Sequence, residues 1–361
     1  MFEILNKNYI GKKVFVTGHT GFKGAWLIKI LKLLGAEIKG YALEPQIENA
    51  LFNLIDGNNI CTSVIADLRE NVKLKKEVLD FQPDYIFHLA AQPLVRLSYE
   101  IPAETFEVNV IGTAYLLDAV KELKNKCNVV LITTDKVYHN NEWEYPYREN
   151  DRLGGYDPYS ASKACAELVI DSYRNSFFSI KDYSSHKKAI AVARAGNVIG
   201  GGDWAKDRLL PDIARALGND EKVIIRNPNS VRPWQHVMEP LFGYLLLGVK
   251  LNENPVRFSQ AYNFGPNASD ALSVESMVKL AIECWGKGSF EIQKNLNQPH
   301  EAGLLKLDIN KVLAEIGWRP IMNAARTIER TMNWYKDFYN GKNADTLILE
   351  DILYYQNLLL T

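Results

Sequence analysis

Cysteine is scarce in this chain of 361 residues, and the four present (Cys61, Cys127, Cys165, Cys284) are scattered without a Cys-x-x-Cys spacing. That argues against a thiolate metal cage or a disulfide framework and leaves buried or incidental thiols in a reducing compartment. No metal site is expected. An excess of charge of one sign is also missing. The 42 Lys and Arg stand against 43 Asp and Glu, which gives no basis for a nucleic-acid or anionic-membrane surface. No stretch approaches the roughly 18–20 uninterrupted apolar residues of a membrane span. The amino terminus, Met1-Phe-Glu-Ile-Leu-Asn-Lys-Asn8, lacks the long apolar core of a signal peptide, so the cytoplasm is the expected compartment. Fixed-period repeats and low-complexity tracts are absent too. What is left is an ordinary globular composition, 47% apolar and 24% charged, long enough for one large or two ordinary domains.

From Lys12 to about Ala195, short apolar runs alternate with amphipathic stretches. Val14–Thr17, Glu37–Leu43, Ser63–Ala66, Tyr85–Leu89, Val129–Thr133 and Lys188–Arg194 read as strands. Ala25–Leu34, Leu74–Phe81, Thr105–Leu123 and Ser160–Ser176 read as helices, with Lys29 and Lys32 on the outer side of the first. This alternation predicts an α/β fold, a doubly wound parallel sheet. After Gly196 the texture changes to glycines, prolines and tryptophans. The expected division is a dinucleotide-binding domain over 1–195, with elements returning to it near 235–264. A smaller interleaved substrate-binding domain is expected from 196–234 and 265–361.

Gly18-His-Thr-Gly21-Phe-Lys-Gly24 follows the first strand. Glycines there allow a tight turn, close approach of backbone to a diphosphate, and close helix–strand packing, while the helix amino terminus offers N–H groups to the anion. The spacing differs from the commoner Gly-x-Gly-x-x-Gly. Glu44 stands one step late for an acidic residue on the adenosine ribose, so NAD and NADP both remain open. Asp67-Leu68 suits the adenine edge, with a helix N-cap as the plain alternative. Leu89-Ala90-Ala91 lets a cofactor approach the backbone, or answers a packing constraint.

Tyr159 and Lys163 share a face at the start of a helix. Lys163 is expected to lower the pKa of Tyr159, so that the phenol takes a proton from a carbinol while Thr134 completes a relay. Asp135-Lys136 ends the strand before them and adds an acid and a base, which implies proton traffic at neighbouring carbons. Arg208 and Arg232 are candidate diphosphate cations, each with a surface ion pair as its plain alternative. Asn197 and Trp204 are candidates to line a cleft, with a loop turn and a core tryptophan as their plain alternatives. His88 reads as structural.

The glycine turn, Leu89-Ala-Ala91, Asn109, Thr134, Tyr159-Ser-Ala-Ser-Lys163 and Arg194-Ala-Gly-Asn197 together resemble the extended short-chain dehydrogenase/reductases that modify nucleotide sugars, over nearly the whole chain. Thr134-Asp-Lys136-Val-Tyr138, Asn141-Glu-Trp143, Gly154-Gly-Tyr-Asp-Pro-Tyr159, Gly201-Gly-Asp-Trp204, Arg232-Pro-Trp-Gln-His236 and His300-Glu-Ala302 narrow the resemblance to a dehydratase branch that uses CDP-glucose. Two departures, threonine at 134 for the commoner serine and Val137 for a small or thiol residue, carry no expected consequence. The resemblance implies NAD, held by Gly18, Thr20, Gly21, Phe22, Lys23, Gly24, Asp67, Leu68, Leu89, Ala90, Ala91, Asn109, Thr133, Tyr159, Lys163 and Arg194. It implies CDP-glucose as the small-molecule substrate, with Gln92, Asn197, Trp204, Arg208, Arg232 and His300 around it. Oxidation at C4 through Tyr159, Lys163 and Thr134 would be followed by removal of the C5 proton by Lys136 and departure of the C6 hydroxyl with a proton from Asp135. Hydride would then return to C6. Lysine stands at 136 where dehydratases for other nucleotide sugars typically carry glutamate, and a desolvated, cation-crowded site is expected to lower its pKa. The product would feed deoxysugars of surface polysaccharides such as the lipopolysaccharide O-antigen.

A nucleotide-sugar 4-epimerase would need Tyr159 and Lys163 but not the Asp-Lys pair. A non-catalytic redox sensor or scaffold would need none of the four. Leu116, Leu117, Val120, Leu168 and Val169 could pack across a two-fold axis or against their own sheet. The resemblance favours a homodimer or a dimer of dimers.

Overall fold

The computed structural model describes residues 1–206, 208–293 and 304–360, with only the backbone of Arg232. The sheet has seven strands: β1 (Lys13–Thr17), β2 (Glu37–Ala42), β3 (Thr62–Ile65), β4 (Tyr85–His88), β5 (Cys127–Thr134), β6 (Lys188–Ala195) and an edge strand, Ala261–Phe264. Their order is edge strand, β6, β5, β4, β1, β2, β3, and every neighbouring pair is parallel. The chain winds outward from β1 to β3, then crosses back to β4. The carboxyl ends of β1 and β4 therefore flank the point where the connections diverge, which is where such sheets open a crevice.

The strands form here because they can be buried on both faces. All eight residues of β5 and of β6 are buried. Alternate side chains of β5 enter opposite cores, Val130 and Ile132 one, Val129 and Leu131 the other. The helix Phe22–Leu33 covers one face, and Asn71–Phe81 with Gly112–Glu122 covers the other. Lys29, expected on the outer side of its helix, instead pairs with Asp345.

The stretch read as one helix over Thr105–Leu123 divides in three: Pro102–Phe106, a π turn Glu107–Ile111, and Gly112–Glu122. The wide turn accompanies the inward commitment of Asn109, whose amide donates to Gln92 O at 3.1 Å and Ser162 Oγ at 2.8 Å and accepts from Gln92 N at 2.8 Å. Of the residues considered for a two-fold contact, Leu116, Leu117 and Val120 lie in the subunit's own core. Leu168 is 59% exposed and Ile111 44%.

Beyond residue 196 lie three small two-stranded pairs and the helices Leu209–Gly218, Met238–Glu253, Val274–Trp285, Ala324–Tyr339 and Ala344–Leu358. Thirteen of the sixteen residues of Met238–Glu253 are buried, so it carries no amphipathic stripe. Glu239 in its first turn is fully buried, with no ion pair among the described residues. It accepts the N–H of Ile321 at 2.9 Å, the N–H of Met322 at 2.7 Å and the hydroxyl of Tyr355 at 2.6 Å. Burial raises its pKa from the ordinary 4.5 to about 7, against those hydrogen bonds. A raised carboxyl pKa in the folded chain means that this group's contribution is fully present below pH 4.5 and is lost as pH rises through 7. Glu239→Gln retains the acceptor and places an N–H donor toward the Tyr355 oxygen. The unfolding free energy of the variant relative to wild type should therefore grow by about 2–3 kcal/mol across that window, read by denaturant titration. A difference that stays flat with pH would contradict this.

Candidate active site

The glycine turn is shaped by two close approaches. Gly18 has φ +74°, and a Cβ there would stand 2.7 Å from Ala90 N; a Cβ on Gly24 would stand 2.0 Å from Gly18 O. Gly21 differs, since a Cβ would meet only Gly18 O at 3.4 Å and the space beyond is open. Gly21 is the N-cap of Phe22–Leu33, whose first turn has no acidic side chain and no side-chain cap. No acidic side chain of this helix's first turn and no side-chain cap competes for its first N–H groups, which fits the diphosphate of a dinucleotide. The turn is tied down from behind by Thr20 Oγ1 to Leu43 O at 2.8 Å, Leu89 N to Thr17 O at 3.1 Å and Ala90 N to Thr17 Oγ1 at 3.2 Å. His19, also in the turn, is buried, bonds Ser63 Oγ at 2.7 Å and leaves Nδ1 without a partner. The Asp67 carboxylate is held by Arg69, with Oδ2 to Nη2 at 2.6 Å, and its pKa is lowered by that bond. It does not cap the helix Asn71–Phe81, whose N-cap is Glu70. Leu68 is buried against Gly112.

The second part of the site grows from the end of β5. Asp135–Val137 forms a single 3-10 turn, with Thr134 Oγ1 accepting the N–H of Lys136 at 3.3 Å and donating to Asp135 Oδ1 at 2.9 Å. Asp135 is 2% exposed, and Lys136 Nζ lies 3.8 Å from its Oδ1. The facing helix, Pro158–Ser176, starts where it does because Asp157 caps it. Its carboxylate accepts Ser160 N at 2.9 Å and Ser160 Oγ at 2.6 Å, and proline occupies N1. One turn later Lys163 donates to Ile132 O at 3.1 Å, and Tyr159 is anchored by its N–H to Ser98 Oγ at 3.1 Å.

Burial raises Tyr159 to about 12, opposed by its hydrogen bond with Thr134 and the charge of Arg208, and reinforced by Asp135. The sequence-based expectation that Lys163 would lower it is not met. Lys163 spends its hydrogen bond on the β5 carbonyl and is itself lowered to about 8 by burial, against Glu167. The cation crowding expected around Lys136 is found at Lys23, which burial, Arg208 and Lys163 push down to about 7.

Lys23, Asp135, Lys136, Tyr159 and Arg208 line one cleft of about 1030 Å³. Its lining also holds Phe22, Thr133, Thr134 and Asn197. Arg208 pairs with Asp203 at 2.8 Å, which raises its pKa. Many expected site residues are not in the lining: Lys163, the glycine-turn residues Gly18, Thr20, Gly21 and Gly24, then Asp67, Leu68, Leu89, Ala90, Ala91 and Asn109, and also Gln92, Trp204 and Arg194. Gln92 spends its amide on Leu94 and Thr105. Trp204 is half-buried and packs against Tyr335, Phe338 and Tyr339. Arg194 is 4% exposed and bonds Glu167, Tyr138 and Glu149 O. His88, between Thr17 and Thr113, is structural. The backbone of Arg232 pairs with Leu272 in a short antiparallel strand, and His300 lies outside the described residues. The lining also includes His139, Asn140, Lys206, Arg226 and Asn227, which the sequence reading missed. They sit in loops without period, where polar clustering was the only signal.

A family described as GDP-mannose 4,6 dehydratase matches residues 15–331. The CDP-glucose 4,6-dehydratase of Salmonella typhimurium strain LT2 is 49% identical over 341 residues, covering 94% of this chain and 95% of the relative. The dTDP-glucose 4,6-dehydratase of Streptomyces antibioticus is 27% identical, over 90% of this chain and 92% of its own. Among solved structures, a dTDP-glucose 4,6-dehydratase of Streptomyces venezuelae with NAD bound shares the fold at TM-score 0.76 and 24% identity, covering 90% of this chain and 97% of that one. The UDP-glucose 4-epimerase of Thermotoga maritima with UDP-glucose does so at TM-score 0.76 and 20% identity, over 90% and 99%.

Proposed function

The chain belongs to the GDP-mannose 4,6 dehydratase family, and from that premise we propose that it is an NAD-dependent CDP-glucose 4,6-dehydratase, forming CDP-4-keto-6-deoxyglucose and water. The observation that carries the reading is the adjacent acid and base, Asp135 and Lys136, on a turn whose first anchor, Thr134, also bonds Tyr159. An epimerase has no use for that pair. Arg208, with the neighbouring cations Lys23 and Lys163, supplies positive charge for an anionic nucleotide sugar.

The turn Gly18–Gly24 and the first N–H groups of the helix Phe22–Leu33 would hold NAD, which would supply the hydride acceptor for C4 and the hydride donor for C6. Tyr159 takes the proton of the 4-hydroxyl, through or beside Thr134. The resulting ketone acidifies C5–H, and Lys136 takes that proton. Asp135, buried and bonded to Thr134, protonates the C6 hydroxyl as it leaves, so water departs and the C5–C6 double bond forms; as hydride comes back to C6, Lys136 returns a solvent-exchanged proton to C5, which gives the 4-keto-6-deoxy sugar.

Residues 1–195 and the returning elements near 235–264 would hold the cofactor, with 196–234 and 265–361 holding the substrate. A homodimer through the helices that carry Ile111 and Leu168 would cover those exposed apolar side chains. The reaction would take place in the cytoplasm, on the way to deoxysugars of a lipopolysaccharide O-antigen. A panel of CDP-, dTDP- and GDP-glucose followed by product mass tests the assignment. Turnover of the CDP sugar at least about tenfold faster than the others is expected, a ratio of about 1.4 kcal/mol in transition-state binding. Preference for another nucleotide would overturn the CDP assignment.

A further inference from the structure

Behind the cleft lies a buried polar chain that the reaction does not itself use. Glu167, one turn after Lys163 on the same helix, is 2% exposed, and Arg194 on β6 is 4% exposed. Arg194 grips Glu167 with Nε at 2.9 and 3.0 Å and Nη2 at 2.5 Å. Its remaining arm, Nη1, donates to Tyr138 Oη at 2.7 Å and Glu149 O at 2.9 Å. The Tyr138 hydroxyl then donates to Asn263 Oδ1 at 2.7 Å on the edge strand. Asn263 in turn donates to Tyr147 O at 2.9 Å and Asp308 O at 3.1 Å. The Tyr138 oxygen is thus both acceptor and donor, and the guanidinium also lies 4.9 Å over its ring.

We propose that Tyr138, held by Arg194 and Asn263, is a positioning residue that fixes the Asp135–Lys136 turn for elimination while leaving the oxidation half of the reaction to other anchors. Only Asp135, Lys136 and Val137 separate the rigid end of β5 from Tyr138. With one end of the turn fixed by the sheet, the other end sets where the carboxyl and ammonium groups stand. Tyr159 and Lys163 do not depend on it, because they are held by their own helix, by Ser98 and by Ile132 O. The Tyr138 ring borders the cleft, but its hydroxyl partners, Arg194 and Asn263, do not. Removing the hydroxyl therefore acts from behind the site. Sub-ångström displacement of an acid or base costs rate steeply, whereas substrate binding by the far side of the cleft is untouched.

The inference rests on the dehydratase reading, and the test separates the two. Wild type and Tyr138→Phe are incubated with CDP-glucose in heavy water. Formation of reduced nicotinamide in a single turnover and deuterium incorporation at C5 are followed in the same sample. Their ratio does not depend on the folded fraction. The expected result is a fall of about tenfold in C5 exchange and dehydration, with C4 oxidation and KM within about twofold of wild type and reduced nicotinamide accumulating in the steady state. If both steps fall together, or neither changes, the positioning role is overturned. If wild type itself shows no C5 exchange, the dehydratase reading fails instead.

Discussion

Lys136→Ala should lower C5 deuterium exchange and product formation by about 10³-fold while C4 oxidation stays within about threefold of wild type. The direction follows from placement. Lys136 lies on the turn after β5, 29% exposed at its side chain, and among the described residues its ion pair is with Asp135. Truncating it leaves no cavity in a core. The Asp135 carboxyl remains bonded to Thr134, so the acid is still present and only the base is missing. The sugar should be oxidised, held as its 4-ketone, and returned unchanged. Single-turnover absorbance of reduced nicotinamide together with C5 exchange in heavy water reads both halves. Exchange at the wild-type rate would remove Lys136 from the role of base and turn attention to Lys23, whose pKa of about 7 suits one.

Tyr159→Phe should give the opposite pattern: a loss of about 10²–10⁴-fold in C4 oxidation, and with it the loss of C5 exchange. C5–H is acidic only after the ketone exists, so elimination cannot run without oxidation. The phenol is held near 12 by burial in the free chain, and Thr134 and Arg208 are the groups that pull it down. Thr134→Val should accordingly weaken oxidation too, by removing the hydroxyl that bonds both Tyr159 and Asp135. Fold is unaffected by the phenylalanine change, because Tyr159 is anchored through its backbone N–H. A Tyr159→Phe variant that still exchanged C5–H would mean that ketone formation does not precede proton removal.

The sheet was legible because its strands are buried on both faces. Continuous apolar runs such as Val129–Thr133 have few other ways to satisfy backbone and side chain together. The active-site helix was legible through its Asp-Pro start and the i, i+4 spacing of Tyr159 and Lys163. The misses share a cause, which is that tertiary partners decide what a polar residue does. Arg194 sits in a motif that suggests the cofactor, yet Glu167 and Tyr138 claim it from distant elements. Gln92 looks free at a strand end but folds its amide back onto its own loop. Lys163 looks placed to act on Tyr159, and it donates a hydrogen bond to a carbonyl of β5. The helix Met238–Glu253 hid because burial all round removes the period that marks a helix.

The central claim, that an acid and a base side by side turn an oxidising site into an eliminating one, is tested most directly by mass analysis of the product from CDP-glucose in heavy water. A product lighter by one water and carrying one deuterium at C5 is expected. A product of unchanged mass, inverted at C4 and free of deuterium at C5, would contradict the account.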